Sequence, residues 1–459
     1  MIKTDLKQFA GLFSDYTELR YQENRVNYIA MINGTVMRNT KSTTRGTSAR
    51  VYHNGCWGFA SNPIFSDESV KQVIDEATLN AKFLSSKNQD EFKPLPESNG
   101  ADAKDFATTK KRITQKELIG FMQNLDEYIM ENCKKIKSRN VIFSCLDMEK
   151  NVLTSTGSTA YSNTPRTLMI ISLTVEEDGN PYNLYEVFGD LGQFEDVFEN
   201  PEDLYPGIDK LYTQLVDKSV GVYAEAGIKD VIMDADLAGI LAHEAIGHTT
   251  EADLVIGGSV AADYLNKKVG TELVTLIDYA HTAHGKQCPV PVYVDDEGTP
   301  AEDCVIIENG ILKKFMSNKE TASKLDIELT GNARAYAFYD EPLVRMRNTA
   351  LVPGTSKLDD MIASIEDGYY LIKSSNGQAD STSEFMFGVV MGYEIKNGKL
   401  GKAIKDLTIS GVAFDVLKTV TMVSDDMVWG CGGMCGKKQS IPVGMGGPAI
   451  KCKVNIGGK

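Results

Sequence analysis

The chain has 459 residues, of which 42% are hydrophobic and 24% are charged. This length suffices for two or more domains with separate cores, and the composition is ordinary for a globular protein. The net charge of -15 argues against a general nucleic-acid or anionic-membrane surface, because both partners select basic faces. No stretch approaches the roughly 18 apolar residues of a membrane span.

The N-terminus and the cysteines indicate the compartment. Residues 1–10 include lysines but lack the apolar core of a secretory signal. Eight cysteines in a long chain without such a signal indicate reduced thiols rather than a disulfide framework. We therefore expect a soluble cytoplasmic protein.

The first half of the chain alternates helical and strand patterns. Apolar spacing predicts helices at Leu6–Phe13, Asp67–Ser85, Gln115–Cys133 and near Pro201–Lys218. Strands are predicted at Thr17–Gln22, Val26–Ile32, Asn140–Asp147 and Thr167–Val175. Arg50–Ala60 is typical of a hairpin, since Asn54-Gly55 tolerates the positive φ of a tight turn. The polar, proline-containing stretch Ser86–Lys111 is expected to be a surface connection.

The pattern changes after about Gly227. A short strand at Val231–Met233 precedes an alanine-rich helix that Asp234 or Asp236 can cap. Further strands and hairpins are predicted at Val305–Met316, Tyr369–Ile372, Phe385–Met391, Tyr393–Ile404, Leu407–Val412 and Thr419–Val423. We predict an α+β fold, with an N-terminal α/β domain over residues 1–225. A β-rich C-terminal domain over residues 226–459 follows and carries the metal-site helix.

That helix ends in a histidine motif, Ala242-His243-Glu244-Ala245-Ile246-Gly247-His248. The chain has only five histidines, so a pair flanking a glutamate calls for an explanation. Two neutral imidazoles can bind zinc, and a neighbouring carboxylate can take a proton from a water that the metal activates. The motif predicts a zinc hydrolase site.

The spacing of the two histidines is unusual. His243 and His248 are five residues apart, which puts them roughly 140° apart around an ideal helix. A shared metal therefore requires either a π-type turn or a helix that ends at Gly247.

A zinc site needs a third protein ligand. Candidates are Glu251, Asp253, His281, His284, Cys431 and Cys435. The two cysteines lie in a glycine-rich run that lets the backbone approach an ion closely, and only one of them is expected to bind. Spacing alone does not choose between the thiols and the acidic candidates.

Ordered sequence blocks from Asp234 to the end resemble the TldD/PmbA family, specifically its metal-bearing TldD side. The blocks are His243–His248 with Glu251-Ala252-Asp253, Val294–Gly298, Thr330–Arg334, Arg345–Thr349, Tyr393–Gly398 and Cys435–Gly444. In the N-terminal half the resemblance is looser and rests on Arg50-Val51-Tyr52 and Trp57–Ala60.

The resemblance implies a zinc ion held by His243, His248 and Cys435, with Glu244 as the general base. It also implies proteolysis of unfolded or flexible peptides inside a dimer cavity. The partner is expected to be a second copy or a metal-free relative of the PmbA (TldE) type. No direct nucleic-acid or membrane partner is expected.

Four other residues are weaker candidates for substrate binding. Arg334 and Arg345 can bind a carboxylate or backbone carbonyls through their planar donor fork, although an ion pair is the simpler interpretation. His281 and His284 are expected in a loop near the site, where they would contact substrate rather than metal.

Two other functions stay open at this point. The first is a non-catalytic interaction protein, since the family has been described as modulating DNA gyrase. The second is a zinc hydrolase that acts on small amides. Two measurements distinguish the peptidase from these two alternatives. They are the amount of bound zinc and the cleavage of an unstructured peptide with and without chelator.

Overall fold

The computed structural model describes residues 5–88 and 92–457. None of the helices in this part of the chain is both long and apolar enough to cross a membrane. In chain order, the strands of the first half are β1 Tyr16–Ile32, β2 Thr35–His53, β3 Cys56–Asn62, β4 Ala101–Asp105, β5 Ile136–Thr154, β6 Thr159–Glu177 and β7 Asn180–Leu191. Its α-helices are α1 Asp67–Ser85, α2 Gln115–Asn132, α3 Phe194–Val197 and α4 Tyr205–Ser219, and Leu6–Leu12 and Pro201–Leu204 are 3-10 helices.

The second half has many short strands. They are β8 Gly227–Met233, β9 Leu276–Tyr279, β10 Thr282–Ala283, β11 Lys286–Gln287, β12 Cys304–Glu308, β13 Ile311–Leu312, β14 Ala333–Arg334, β15 Leu343–Val344 and β16 Asn348–Leu351. After them come β17 Asp367–Ala379, β18 Glu384–Lys396, β19 Lys399–Ile404, β20 Leu407–Val412, β21 Met422–Val423, β22 Val428–Gly430, β23 Met434–Cys435, β24 Ile441–Pro442, β25 Gly444–Gly447 and β26 Ile450–Gly457.

The helices of this half are also short. The α-helices are α5 Ala235–Ile240, α6 Ala252–Ile256, α7 Lys319–Leu325, α8 Leu358–Ala363 and α9 Ala413–Leu417. Leu241–Gly247 is a π-helix, and His248–Thr250 and Val260–Tyr264 are 3-10 helices.

The first half forms a seven-stranded sheet in the order β3-β2-β1-β5-β6-β4, with β7 paired to β6. Helices α2 and α4 cover it through an apolar core that contains Met122, Leu125, Leu211 and Leu215. A second core packs α1 against β1 and β2. The amphipathic helix patterns therefore correspond to buried faces on this sheet.

The second half closes strands into a ring. Strands β17, β8, β26, β20 and β18 pair in that order, and β17 also pairs with β18. The α5 helix and the π-helix pack into the core of this barrel with Val231, Leu371 and Phe387. A six-stranded sheet, β13-β12-β9-β16-β25-β22, lies beside them. The metal-site helix is thus fixed by buried contacts on the strands around it.

The predicted mixed α and β fold is confirmed, and its element bounds show where the sequence signals were weak. The two strands predicted at Thr17–Gln22 and Val26–Ile32 are one strand, β1, because the polar residues between them are paired. Arg25 there binds Glu23 of the same strand and Glu149 of the neighbouring strand β5. The first predicted helix is a 3-10 helix.

In the first half of the chain two strands escaped prediction, and in the second half β9, β16 and β26 are among those that did. The connection predicted at Ser86–Lys111 contains β4, which pairs in parallel with β6; residues 89–91 of that stretch lie outside the described part. Strand β7 is polar and contains Pro181 and Gly189, which hid its pattern. Its hairpin to β6 turns at Asp178-Gly179, both with positive φ, a turn signal that the sequence does carry.

The hairpins predicted at asparagine-glycine pairs are confirmed. Asn54-Gly55, Asn309-Gly310 and Asn397-Gly398 all adopt positive φ between paired strands. Every strand of the first sheet ends by Leu191, and the barrel starts at Gly227. The division into domains at residues 225 and 226 stays a prediction.

Candidate metal centre

The helix that carries the histidine motif changes its winding at the motif. Asp234 caps α5, since its side chain accepts a hydrogen bond from Leu237 N at 3.2 Å. The chain then winds as a π-helix over Leu241–Gly247, and the His248 N–H donates to the carbonyl of His243. That bond spans five residues, which is the spacing of the two histidines, so the π-turn brings both onto one face.

The two imidazoles therefore meet. Their ring centroids lie 5.2 Å apart, with the ring planes at 81°. Gly247 ends the π-turn against a tightly packed neighbour, because a Cβ there would lie 2.1 Å from the sulfur of Met346. The distortion that the spacing required is present.

The third member of the cluster comes from the far end of the chain. Cys435 lies on β23, which pairs with β24, and its Sγ is 3.3 Å from His248 Nε2. His243, His248 and Cys435 each offer one candidate ligand atom, and these three atoms lie within 4.8 Å of one another. In the described part of the chain, the His, Cys, Asp and Glu side chains that lie close enough together for three or more to share a metal are those of this group.

The residues fit a zinc ion. His243 is 1% exposed, yet neither of its ring nitrogens has a hydrogen-bond partner in the described part of the chain. A buried imidazole without partners is costly, and a metal bond would satisfy it. Two imidazoles and one thiolate are a donor set that zinc accepts, with a fourth position left open.

Charges around the cluster favour the metal-binding form of the thiol. Burial disfavours the thiolate of Cys435, but the neighbouring His243 and His248 outweigh burial and lower the pKa of the thiol to about 3. Burial also disfavours charge on His248, but Glu251 and Cys435 outweigh it and raise its pKa to about 10. Cys435 is therefore a thiolate at neutral pH, which is the form that binds metals.

A carboxylate lies behind His248. Glu251 is fully buried, and its Oε2 accepts from His248 Nδ1 at 2.7 Å. This bond fixes the ring so that Nε2 faces Cys435. The Lys437 ammonium lies 3.1 Å from the same oxygen. A histidine that ligates a metal is oriented by such a carboxylate in many proteins.

Glu244 lies at the edge of the cluster. Its side chain is 29% exposed, and its Oε2 is 3.8 Å from His248 Nε2. It is thus close to the candidate ligands and partly accessible, as a general base in this position must be.

Comparisons with known proteins bear on this geometry. A family model described as the PmbA/TldA metallopeptidase C-terminal domain matches residues 226–458, and the model for domain 1 of the same family matches residues 17–81. A metalloprotease of Methanocaldococcus jannaschii is 33% identical over 95% of this chain and 96% of its own length. The chain belongs to the PmbA/TldD metallopeptidase family.

Other similarities agree with this membership. A protein of Saccharolobus solfataricus named a zinc metalloprotease TldD homolog is 27% identical over 99% of both chains. The structure of TldE from Thermococcus kodakarensis matches with a TM-score of 0.77 at 18% identity over 99% of both chains. A putative modulator of a DNA gyrase from Thermotoga maritima matches with a TM-score of 0.78 at 18% identity over 96% of both chains. These two structures show a shared fold. The family model and the sequence relatives confirm the predicted family and the prediction of a metallopeptidase.

The remaining ligand candidates of this PmbA/TldD chain lie elsewhere. Cys431 donates from Sγ to the carbonyl of Gly189 at 3.0 Å. Both carboxylate oxygens of Asp253 accept from Lys437, and Glu251 accepts from His248. Neither of these acidic residues joins the three-residue group.

His281 directly precedes β10, and His284 lies in the turn between β10 and β11. The His281 ring stacks on Tyr293 with centroids 4.2 Å apart, and His284 Nε2 lies 3.3 Å from the Tyr279 hydroxyl. Neither belongs to the candidate ligand group among the described residues. Their contact with substrate stays a prediction.

Arg334 and Arg345 are 5% and 0% exposed. Arg334 donates to the carbonyls of Met346 and Pro442, and Arg345 donates to the carbonyls of Cys435, Lys437 and Gln439. Backbone carbonyls accept from both guanidinium groups, and Arg334 also lines a cavity with Tyr293 and Pro442. Binding of a substrate carboxylate by either one stays a prediction.

Sequence reasoning missed the residues behind the cluster. Glu251 was considered only as a ligand, although its place three residues after His248 puts it beside that ring. Lys437 and Arg166 were not singled out. Arg166 of β6 donates to the carbonyls of Cys431 and Gly433, and no local pattern could reveal a partner more than 260 residues away along the chain.

Proposed function

We propose that this chain is a zinc-dependent peptidase of the TldD type, in which His243, His248 and Cys435 hold the metal and Glu244 is the general base. The observation that carries the proposal is the convergence of the three candidate ligand atoms within 4.8 Å, beside an accessible glutamate. The zinc metalloprotease name of the Saccharolobus solfataricus relative also supports it.

The residues around the centre have separate tasks. Zinc, when bound, would polarise a peptide carbonyl and lower the pKa of water. Glu244 accepts the proton of the attacking water at a carboxylate oxygen and returns it to the leaving amine. Glu251 holds His248 through Nδ1, and so keeps Nε2 directed at the centre.

The depth of the centre supports a substrate class. His243 and Cys435 are each 1% exposed, and the His248 side chain is 20% exposed. A recessed centre of this kind admits a single extended chain more easily than a folded surface. We therefore propose unfolded or flexible peptides as substrates.

The proposed assembly is a dimer that encloses the centre. The partner is a second copy of this chain or a metal-free relative of the PmbA (TldE) type. The fold shared with TldE of Thermococcus kodakarensis supports a partner of similar shape.

The test measures bound zinc and then cleavage of an unstructured peptide, with and without chelator. Chelation is expected to abolish cleavage, and added zinc is expected to restore it. Glu244→Gln is expected to keep zinc and to lose at least about 100-fold in kcat, the scale of a general base. Cys435→Ala is expected to lose zinc as well.

Three results would contradict parts of the proposal. Peptide cleavage by metal-replete Glu244→Gln at the wild-type rate would exclude Glu244 as the base. Hydrolysis of a small amide without cleavage of any peptide would favour the small-amide hydrolase. A zinc-loaded protein that cleaves neither would favour a non-catalytic interaction protein.

A further inference from the structure

A buried arginine lies beneath the turn that carries Cys435. Arg345 is fully buried, and within the described part of the chain its hydrogen bonds go to backbone carbonyls rather than to a carboxylate. Arg347, two residues later, is equally buried but binds Asp278 through Nε at 2.8 Å. A buried cation without an anion is unfavourable unless its donors are well used.

Three donor bonds of Arg345 converge on alternate carbonyls of one turn. Nη2 donates to the Cys435 carbonyl at 2.7 Å, and Nη1 donates to the carbonyls of Lys437 and Gln439, each at 3.0 Å. Because the guanidinium is planar and its donors are fixed in a fork, these bonds set the path of the chain directly after the cysteine.

Strand pairing and backbone conformation contribute little to the shape of this turn. Strands β23 and β24 pair over only two residues each. Lys438 has a φ of 54°, a left-handed conformation that is unfavourable for a residue with a side chain. A Cβ on Gly436 would meet no atom within 4 Å. The segment is thus held mainly by side chains, namely Arg345, Lys437 and Gln439, whose amide accepts from Tyr336 N and donates to the Glu341 carbonyl.

We propose that Arg345 is a positioning residue for Cys435, one that holds the thiolate where it and the two histidines can share one metal. The inference rests on the proposed function, since it assumes a metal at this centre. It assigns Arg345 to the metal ligand rather than to the substrate.

The test compares zinc affinity and the cobalt spectrum of full-length variants. Arg345→Met removes the fork, and Arg345→Lys keeps the charge on a single donor group. Zinc affinity, measured by competition with a chelator, is expected to fall 10- to 100-fold in Arg345→Met, the scale seen when the support of a metal ligand is removed. The thiolate-to-cobalt absorption band is expected to weaken or shift, and Arg345→Lys should give an intermediate result.

The matched control is Arg139→Met. Arg139 forms a two-bond pair with Asp126 at 2.7 and 2.8 Å in the first half of the chain, so its loss destabilises the protein without touching the turn. Zinc affinity and the cobalt spectrum are expected to stay at wild-type values in this variant.

The outcomes separate the inference from the proposed function. Wild-type zinc affinity and cobalt spectrum in Arg345→Met would overturn the inference. If Arg345→Met does not fold, the same two measurements on Arg345→Lys decide, and wild-type values there would overturn it. Failure of the wild-type protein to bind zinc, or unchanged binding by Cys435→Ser, would instead defeat the proposed function.

Discussion

His248 has a different neighbour on each of its ring nitrogens. Nε2 lies 3.3 Å from Cys435 Sγ, and Nδ1 lies 2.7 Å from the buried carboxylate of Glu251. A metal bound at Nε2 would benefit from this carboxylate in two ways, because it fixes the ring orientation and raises the basicity of the ligand. The zinc affinity of the centre is therefore expected to depend on Glu251 as well as on the three ligands.

Glu251→Gln tests this dependence. The variant keeps the shape of the side chain but removes its charge, so zinc affinity is expected to fall about 10- to 100-fold in a chelator competition assay. Asp253→Asn is the control, because Asp253 binds the same Lys437 but touches neither histidine. Equal zinc affinity in wild type and Glu251→Gln would show that the carboxylate does not support the ligand.

The sequence carried part of this centre. The two histidines and Glu244 were predicted from residue type, and the five-residue spacing of the histidines required either a π-type turn or a helix end at Gly247. Cys435 followed only from the resemblance to the family, because 187 residues separate it from His248. The orienting contacts of Glu251 and Lys437 depend on how those distant segments pack, which spacing does not encode.

At the scale of elements, the π-turn is the feature on which the centre depends. It ends at Gly247, which lies against the buried Met346. The Met346 carbonyl accepts from Arg334, and Arg334 also donates to the Pro442 carbonyl of β24. The winding of the helix and the path of the cysteine hairpin are thus joined by direct contacts.

Gly247→Ala is expected to disturb this packing. Its Cβ would lie 2.1 Å from the Met346 sulfur, and overpacking of this kind typically costs about 1–3 kcal/mol. A double-mutant cycle with Met346→Ala measures the contact through unfolding free energies. The two changes are expected to be less destabilising together than the sum of the single variants. Strictly additive changes in the unfolding free energy would mean that a side chain at position 247 does not clash with Met346.

Strand signals were less complete than helix signals, for a physical reason. The helices α1 and α2 were predicted to within one residue because their apolar faces recur at helical spacing. Long strands such as β1 contain polar residues that are paired across the sheet, as Arg25 is with Glu149. Such pairs break the alternating pattern without ending the strand, so the strands are longer than their apolar runs.

At the scale of the whole molecule, buried charges join the first sheet to the second half of the chain. Lys150 of β5 binds Asp296 at 2.6 Å, and Arg50 of β2 binds Glu18 and Glu297. Arg166 of β6 reaches the backbone beside the cysteine hairpin. The N-terminal sheet therefore contributes directly to the support of the proposed metal centre.

Lys150 gives this junction a predictable pH dependence. Burial lowers its pKa to about 8, although Asp296 acts in the opposite direction. The unfolded chain, with a pKa near the ordinary 10.5, binds more protons than the folded chain between these values. The contribution of Lys150 to stability therefore rises with pH across about 8 to 10.5.

Denaturant unfolding at several pH values checks this sign. The unfolding free energy of the wild-type protein, minus that of Lys150→Met, is expected to increase between pH 8 and 10. A difference that stays constant or decreases over this range would contradict the assigned direction of the Lys150 pKa.

The central claim is that His243, His248 and Cys435 bind one zinc ion together. X-ray absorption at the zinc edge of the loaded, full-length protein tests it most directly. The account predicts one sulfur ligand at about 2.3 Å and two imidazole nitrogens at about 2.0–2.1 Å, with the sulfur lost in Cys435→Ser. A zinc shell without sulfur in the wild-type protein would contradict it.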